Sequence, residues 1–232
     1  MNSSPEQAFY DRHYRTLRTD AVDIAASREA IRTPGDRYYC VVDRLKDARK
    51  LKAVEWGVGS VSRLLALEEL FAEYTALDIS AEAILAAHRI DARIISANLN
   101  SDLAFPDDSF DVTIAMMVVE HLFDPFHSFK ELARMTKRGG LVFVNLPLVT
   151  SIKNRLRLLF GKLPQTSQKS WWDDREWDGG HLHYFTLEIV LDLARLNGLT
   201  LDRTYAVGRL TELKRLAPRL LCGELSFVFQ KA

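Results

Sequence analysis

The sequence predicts one α/β domain built on a doubly wound, mostly parallel sheet with helices on both faces. Three observations carry that prediction. Apolar runs of strand length, at 52–56, 74–78, 92–96, 110–116 and 140–146, alternate with segments of helical period. Two of the runs, Val112-Thr-Ile-Ala-Met-Met and Leu141-Val-Phe-Val, are continuously apolar, as strands covered on both faces must be. Strand–helix alternation of this kind joins parallel strands through crossover helices.

Each element has its own signals. Helices are predicted over 60–72, 80–89 and 124–138. In the third, Phe126, Phe129, Leu132 and Ala133 share a face, and Asp124-Pro125 supplies an N-cap and a first-turn proline. Lys137-Arg138-Gly139-Gly140 reads as a cationic last turn stopped by glycine. Ser80 is the expected cap of the second helix, with Glu82 in its first turn. Beyond Pro147 a basic amphipathic segment and a Trp-rich loop precede a helix running from Thr186 to Asn197 and stopped by Gly198. Apolar runs near 199–207 and 223–230 make an antiparallel pair that brings the sheet to seven strands. Residues 1–50 are expected to form a helical cap. The domain proper then spans 51–232, with a lid or acceptor-binding insertion at about 148–185.

Composition narrows the partners. Among the 232 residues, 31 Lys and Arg balance 31 Asp and Glu, so no global field draws in nucleic acid. No apolar stretch approaches the roughly 20 residues of a membrane span, and the opening segment lacks the apolar core of a secretory signal. Cys40 and Cys222 stand far apart with no Cys-x-x-Cys spacing, which argues against a disulfide framework. A cytoplasmic location is the expectation.

The chemistry starts at Glu55-Trp56-Gly57-Val58-Gly59, where the first strand ends. Gly57 and Gly59 let the backbone turn sharply and approach a ligand, while the next helix aims its N–H groups at the turn. About 20 residues on, Asp78 ends the second strand, where a carboxylate can accept both hydroxyls of a ribose. A helix cap is the alternative role for Asp78. A dinucleotide would bring pyrophosphate to the turn, where Glu55 would repel it; a sulfonium cofactor with an ammonium group is favoured by the same charge. Ser62, at the third small position of a dinucleotide fingerprint, adds little support for that alternative.

These residues resemble the class I S-adenosylmethionine-dependent methyltransferases, from about residue 52 to 200. The first motif resembles Val54 to Gly59, with Val61 at the usual third glycine, and Asp78 matches the acidic end of strand two. The stretch from Ala97 through Asn98 and Leu99 to Asp111 looks like the adenine loop, with an amide at Asn98 where relatives often have an acid. Met117-Val118-Val119-Glu120-His121-Leu122 matches the segment after strand four, and Lys137 to Gly140 the glycines before strand five. Asn145-Leu146-Pro147, Asn154-Arg155-Leu156 and His181-Leu182-His183-Tyr184-Phe185-Thr186 are similar to a subgroup associated with small-molecule, lipid or glycan O-methylation. The resemblance implies a Rossmann-like fold, S-adenosylmethionine as cofactor, and cofactor contacts at Glu55, Gly57, Gly59, Asp78, Ile79, Asn98, Leu99 and Met116. Some quinone-type relatives hold a metal with a Glu four residues before the motif's histidine. That position is Met117, so no metal is expected.

If the acceptor is a hydroxyl, a histidine base assists transfer. His181 is the first candidate, in a loop with Trp171, Trp172 and Trp177, and His121 is the second. Tyr10 and Tyr14 are candidates to close over the cofactor. Residues 151–162 place Ile152, Leu156, Leu159 and Phe160 on one helical face with Lys153, Arg155, Arg157 and Lys162 outside it. Solvated charge explains that pattern, and a cap greeting an anionic or lipid-linked acceptor is the other explanation. Two other functions are open: a non-catalytic cofactor-binding partner protein, and a nicotinamide dehydrogenase, which Glu55 disfavours.

Overall fold

The computed structural model describes residues 22–167 and 180–232. Tyr10, Tyr14 and the three loop tryptophans therefore lie outside the described residues. Two short helices come first, α1 (Ile24–Ala30) and α2 (Tyr39–Arg44). The alternating unit follows: β1 (Lys52–Trp56), α3 (Val61–Glu68), β2 (Glu73–Asp78), α4 (Ala81–His88), β3 (Ile94–Ser96) and β4 (Phe110–Met116). After a 3₁₀ turn at Val119–His121 come α5 (Pro125–Met135), β5 (Thr136–Pro147) and α6 (Ile152–Leu159). The chain closes with α7 (Leu187–Leu196), β6 (Leu199–Ala206), α8 (Thr211–Leu216), α9 (Pro218–Leu221) and β7 (Glu224–Lys231).

The seven strands order as β3-β2-β1-β4-β5-β7-β6. The first five are parallel and β7 runs antiparallel to both β5 and β6, so the predicted C-terminal antiparallel pair is β6 with β7. Strand order reverses between β1 and β4, and in such sheets ligands bind outside the carboxyl ends of the strands at that point. Side chains of β1 alternate between two cores. Val54 and Trp56 pack with Phe129, Leu132 and Phe227 on one face, and Ala53 packs with Tyr38, Leu64 and Ile84 on the other. No helix among the described residues is long and apolar enough to cross a membrane.

Two local expectations are corrected. Lys137 to Gly140 lies inside β5, because α5 ends at Met135. Thr136, β-branched and buried, turns its hydroxyl to the Leu132 carbonyl and the Thr113 hydroxyl and opens the strand. The register slips between Phe110 and Val112 to absorb the extra residues, and a Cβ on Gly140 would stand 2.7 Å from the Asp111 carbonyl oxygen. These glycines thus serve a bulge, not a helix stop. Secondly, the Ser80 side chain makes no capping bond to α4; Asp78 meets that N-terminus instead. Elsewhere the punctuation holds: Asp124 accepts from Phe126 and His127, Thr186 from Ile189, and Gly198 takes φ +70°.

Candidate cofactor and acceptor site

The glycine turn sits where β1 meets the switch point. Gly57 has φ +75°, a region that a side chain disfavours, and a Cβ there would press on Val118 Cγ2 at 3.0 Å. Gly57 therefore packs the turn against the end of β4, where Met117 itself holds φ +56°. Gly59 differs: its φ is ordinary and a Cβ would meet nothing within 4 Å, so the backbone there faces open space. Val61, at the third glycine position, starts α3 and is buried. The missing glycine is thus accommodated by packing on the core side.

Asp78 joins the turn to the next helix. Its Oδ2 accepts from Val58 N at 2.7 Å and its Oδ1 from Ser80 N at 2.9 Å. One buried carboxylate thereby fixes the glycine turn and the entry to α4 together, and charge-assisted bonds of this kind are the strong ones. The capping role is the one these two bonds display. Ile79 follows it, while Asn98 folds its Oδ1 back to Asn100 N at 3.0 Å, and Leu99 and Met116 are buried beside the strand ends.

Glu55 does not reach for the turn. Its side chain is buried on the opposite side of β1, with Tyr38 donating to Oε1 at 2.7 Å and Tyr74 to Oε2. Burial pushes the carboxyl up to about 7, against the pull of the two hydroxyls. A carboxyl raised from its unfolded 4.5 stabilises the fold most at low pH, and that contribution fades as pH climbs from about 4.5 through about 7. The loss is on the order of 3 kcal/mol. Glu55→Gln, a neutral isostere, removes this dependence. Thermal melts should show the variant gaining roughly 5–10 °C on the natural protein between pH 5 and pH 8; parallel curves would show that Glu55 titrates normally.

A clamp that sequence reasoning missed holds the segment between β3 and β4. Arg134 donates to the carbonyls of Phe105 at 2.6 Å and Leu103 at 3.0 Å, and to Asp107 at 2.9 Å. The buried Glu131 pairs with Arg134 at 2.6 Å and accepts from Leu103 N at 3.0 Å. The i, i+3 spacing of the two on a helix was visible, but not their target loop.

A methyltransferase-domain family model matches residues 54–144, the span from β1 to β5 that carries the turn, Asp78 and the clamp. Residues 54–144 thus resemble a methyltransferase domain. The likeness supports S-adenosylmethionine as the cofactor. The open space at Gly59 fits that group, and the chain is also similar to curated proteins. It is 32% identical over 107 residues to the 2-methyl-6-phytyl-1,4-hydroquinone methyltransferase of Synechocystis sp. The match covers 44% of this chain and 33% of that protein. A fungal polyketide synthase-nonribosomal peptide synthetase, ACE1 of Pyricularia oryzae, is 29% identical over 127 residues, half of this chain and 3% of that one. The chain thus spans a third or less of the length of these curated relatives. Among solved structures, a chain from the complex of the Haloferax volcanii Trm112 methyltransferase activator with a methyltransferase superposes with TM-score 0.64 at 17% identity. The superposition covers 95% of this chain and 96% of that one.

The fold also brings both candidate histidines to one place. The rings of His121 and His181 stand edge to face, 4.8 Å between centroids. His121 Nδ1 meets the Gly180 carbonyl, and His181 Nδ1 meets the Thr166 hydroxyl at 2.6 Å. The residue not foreseen is Glu120, which is fully buried between them, with Oε1 3.9 Å from His181 Nε2. Neither Glu120 oxygen has a hydrogen-bond partner among the described residues, and burial pushes its carboxyl up to about 8. Its backbone carbonyl accepts from Leu182 N at 2.8 Å, docking the 180–183 loop on the 3₁₀ turn. One donor atom each from Glu120, His121 and His181 lies within 4.8 Å of the others, a set able to hold a cation. His183 points elsewhere, to the Phe123 carbonyl at 3.1 Å.

Proposed function

We propose that this chain transfers the methyl group of S-adenosylmethionine to a hydroxyl of a small amphiphilic acceptor of lipid type. The observation that carries the reading is the Asp78 brace beneath an open glycine turn, with a histidine cluster beyond the end of β4. Bound cofactor supplies a methyl already activated by the sulfonium charge. The protein's task is therefore to place the acceptor oxygen in line with it, and alignment alone is worth several kcal/mol, of the roughly 7–11 that ideal orientation can give. Asp78 holds the ribose, Asn98 and Leu99 receive the adenine, and Ile79 and Met116 wall the cleft. Glu55 acts on the cofactor's ammonium only through the strand it stiffens.

As the oxygen–methyl bond forms and the sulfur–methyl bond breaks, the hydroxyl must give up its proton. The cluster of His121, His181 and Glu120 assists its release to solvent. Because His181 directs one nitrogen to Thr166 and the other towards Glu120, it works within the cluster and not as a solitary base. Replacing His181 with alanine should lower turnover roughly 10²–10⁴-fold while S-adenosylmethionine affinity holds; unchanged turnover would remove the cluster from the mechanism.

The acceptor class rests on α6. The predicted apolar face points outward: Ile152, Leu156, Leu159 and Phe160 are exposed, as is Leu163. Residues 151–163 hold Lys153, Arg155, Arg157 and Lys162 and no acidic residue. A helix of this kind suits an apolar tail or an anionic lipid surface, and residues 148–185 then serve as the acceptor lid. Incubating the chain with methyl-labelled cofactor and a total lipid extract tests this. Label in the organic phase supports it, label only in water-soluble products rejects the lipid-type acceptor, and tight cofactor binding with no transfer identifies a non-catalytic partner.

A further inference from the structure

We infer that Glu120, His121 and His181 form a divalent transition-metal site at the acceptor end of the cleft. Its purpose rests on the methyl-transfer reading; its existence does not. Three independent features point to it. First, the donor set is two imidazoles and one carboxylate, all within 4.8 Å, a set that suits zinc and its neighbours in the first transition row.

Second, Glu120 is fully buried, yet neither of its oxygens is hydrogen-bonded among the described residues. Buried carboxylates are normally satisfied several times over, so a bare one directed at two imidazoles asks for a cation. His181 by itself is a poor answer. A charge-assisted bond from a protonated imidazole closes to about 2.7–2.9 Å, whereas the pair here stands at 3.9 Å. Donors around a tetrahedral zinc lie roughly 3.4 Å apart, so metal binding needs a closure of about 0.5 Å across this pair.

Third, the tautomer is set. A backbone carbonyl can only accept, so the contact with Gly180 places the His121 proton on Nδ1 and makes Nε2 the basic nitrogen. The Thr166 hydroxyl sits at the same atom of His181. An oxygen at Nδ1 that orients the ring is the usual outer support of a metal-bound histidine. Met117 suggested from sequence that no metal is held, because an acidic ligand is missing there. The fold supplies a different ligand, His181, from a loop 64 residues after Met117.

Three protein ligands leave a coordination position open. An acceptor hydroxyl bound there would lose its proton to solvent at lower pH than a free alcohol, which assigns His121 and His181 the role of ligands.

The test is equilibrium dialysis of the tag-free full chain against zinc chloride, with metal measured directly, and a parallel titration with cobalt chloride followed by its visible absorption. We expect about one zinc per chain and the intense bands of a low-coordinate cobalt site. Glu120→Gln, an isosteric change, and His181→Ala should each weaken zinc at least tenfold, with circular dichroism unchanged; His88→Ala, on α4, should leave it intact. Substoichiometric zinc in the natural protein, or zinc binding that survives both cluster variants, overturns the site. Titrating the same samples with S-adenosylmethionine keeps the two readings apart: cofactor binding without zinc rejects only the metal, and zinc without cofactor rejects only the methyl-transfer reading.

Discussion

Replacing Arg134 with leucine is expected to cost this protein about 3–5 kcal/mol, because it leaves Glu131 buried without its partner. The arginine does more than pair. It closes on the carbonyls of Leu103 and Phe105 and on Asp107, so three backbone or side-chain oxygens of the loop lose their donor at once. For a chain of 232 residues the midpoint of thermal unfolding should fall roughly 10 °C. Affinity for S-adenosylmethionine should fall with it, since the released segment runs back to Asn98 and Leu99. Calorimetric scans and cofactor titration at a temperature where both proteins are folded separate the two effects. Adding Glu131→Gln should recover part of the stability, because the stranded charge is gone while a carbonyl still accepts from Leu103 N. A fall below about 1 kcal/mol would mean that the pair behaves like an exposed surface bridge.

The second large effect concerns Asp78. Asp78→Ala removes the acceptor for Val58 N and Ser80 N and the group proposed to hold the ribose. Each hydrogen bond to a charged group is worth about 1.5–3 kcal/mol, so cofactor affinity should fall by about 10²-fold or more. Asp78→Asn should fall between: its single carbonyl oxygen can keep one of the two backbone bonds, but the charge is lost. Equal affinity in all three proteins would show that the carboxylate is only a brace for the turn.

These two residues also show what was legible before the fold was known. Strand positions and helix placement followed from apolar periodicity because parallel strands covered on both faces leave a strong signature, as in β4 and β5. Asp78 was legible because its place at a strand end, a fixed distance from a glycine turn, is a local property. Glu55 was misread in its direction. A sign-of-charge argument identified the right cofactor, yet period-two alternation along β1 turns that side chain into the core between Tyr38 and Tyr74. Charge on one residue and its orientation are separate questions, and only the second needs the fold. Glu120 was invisible for a related reason: beside His121 it looks like one polar residue in a turn. Its meaning depends on His181 arriving from the far side of β5 and α6.

The exposed face of α6 shows the converse case. The apolar stripe was read correctly, but a stripe predicts burial against something, and here the something is not another part of the described chain.

The central claim is that the cleft at β1, β2 and β4 takes S-adenosylmethionine and not a dinucleotide. Isothermal titration of the full chain with S-adenosylmethionine and, separately, with NAD tests it most directly. The account predicts one saturable site for S-adenosylmethionine, weakened by Asp78→Ala, and no heat of binding for NAD. Binding of NAD with none for S-adenosylmethionine would contradict it.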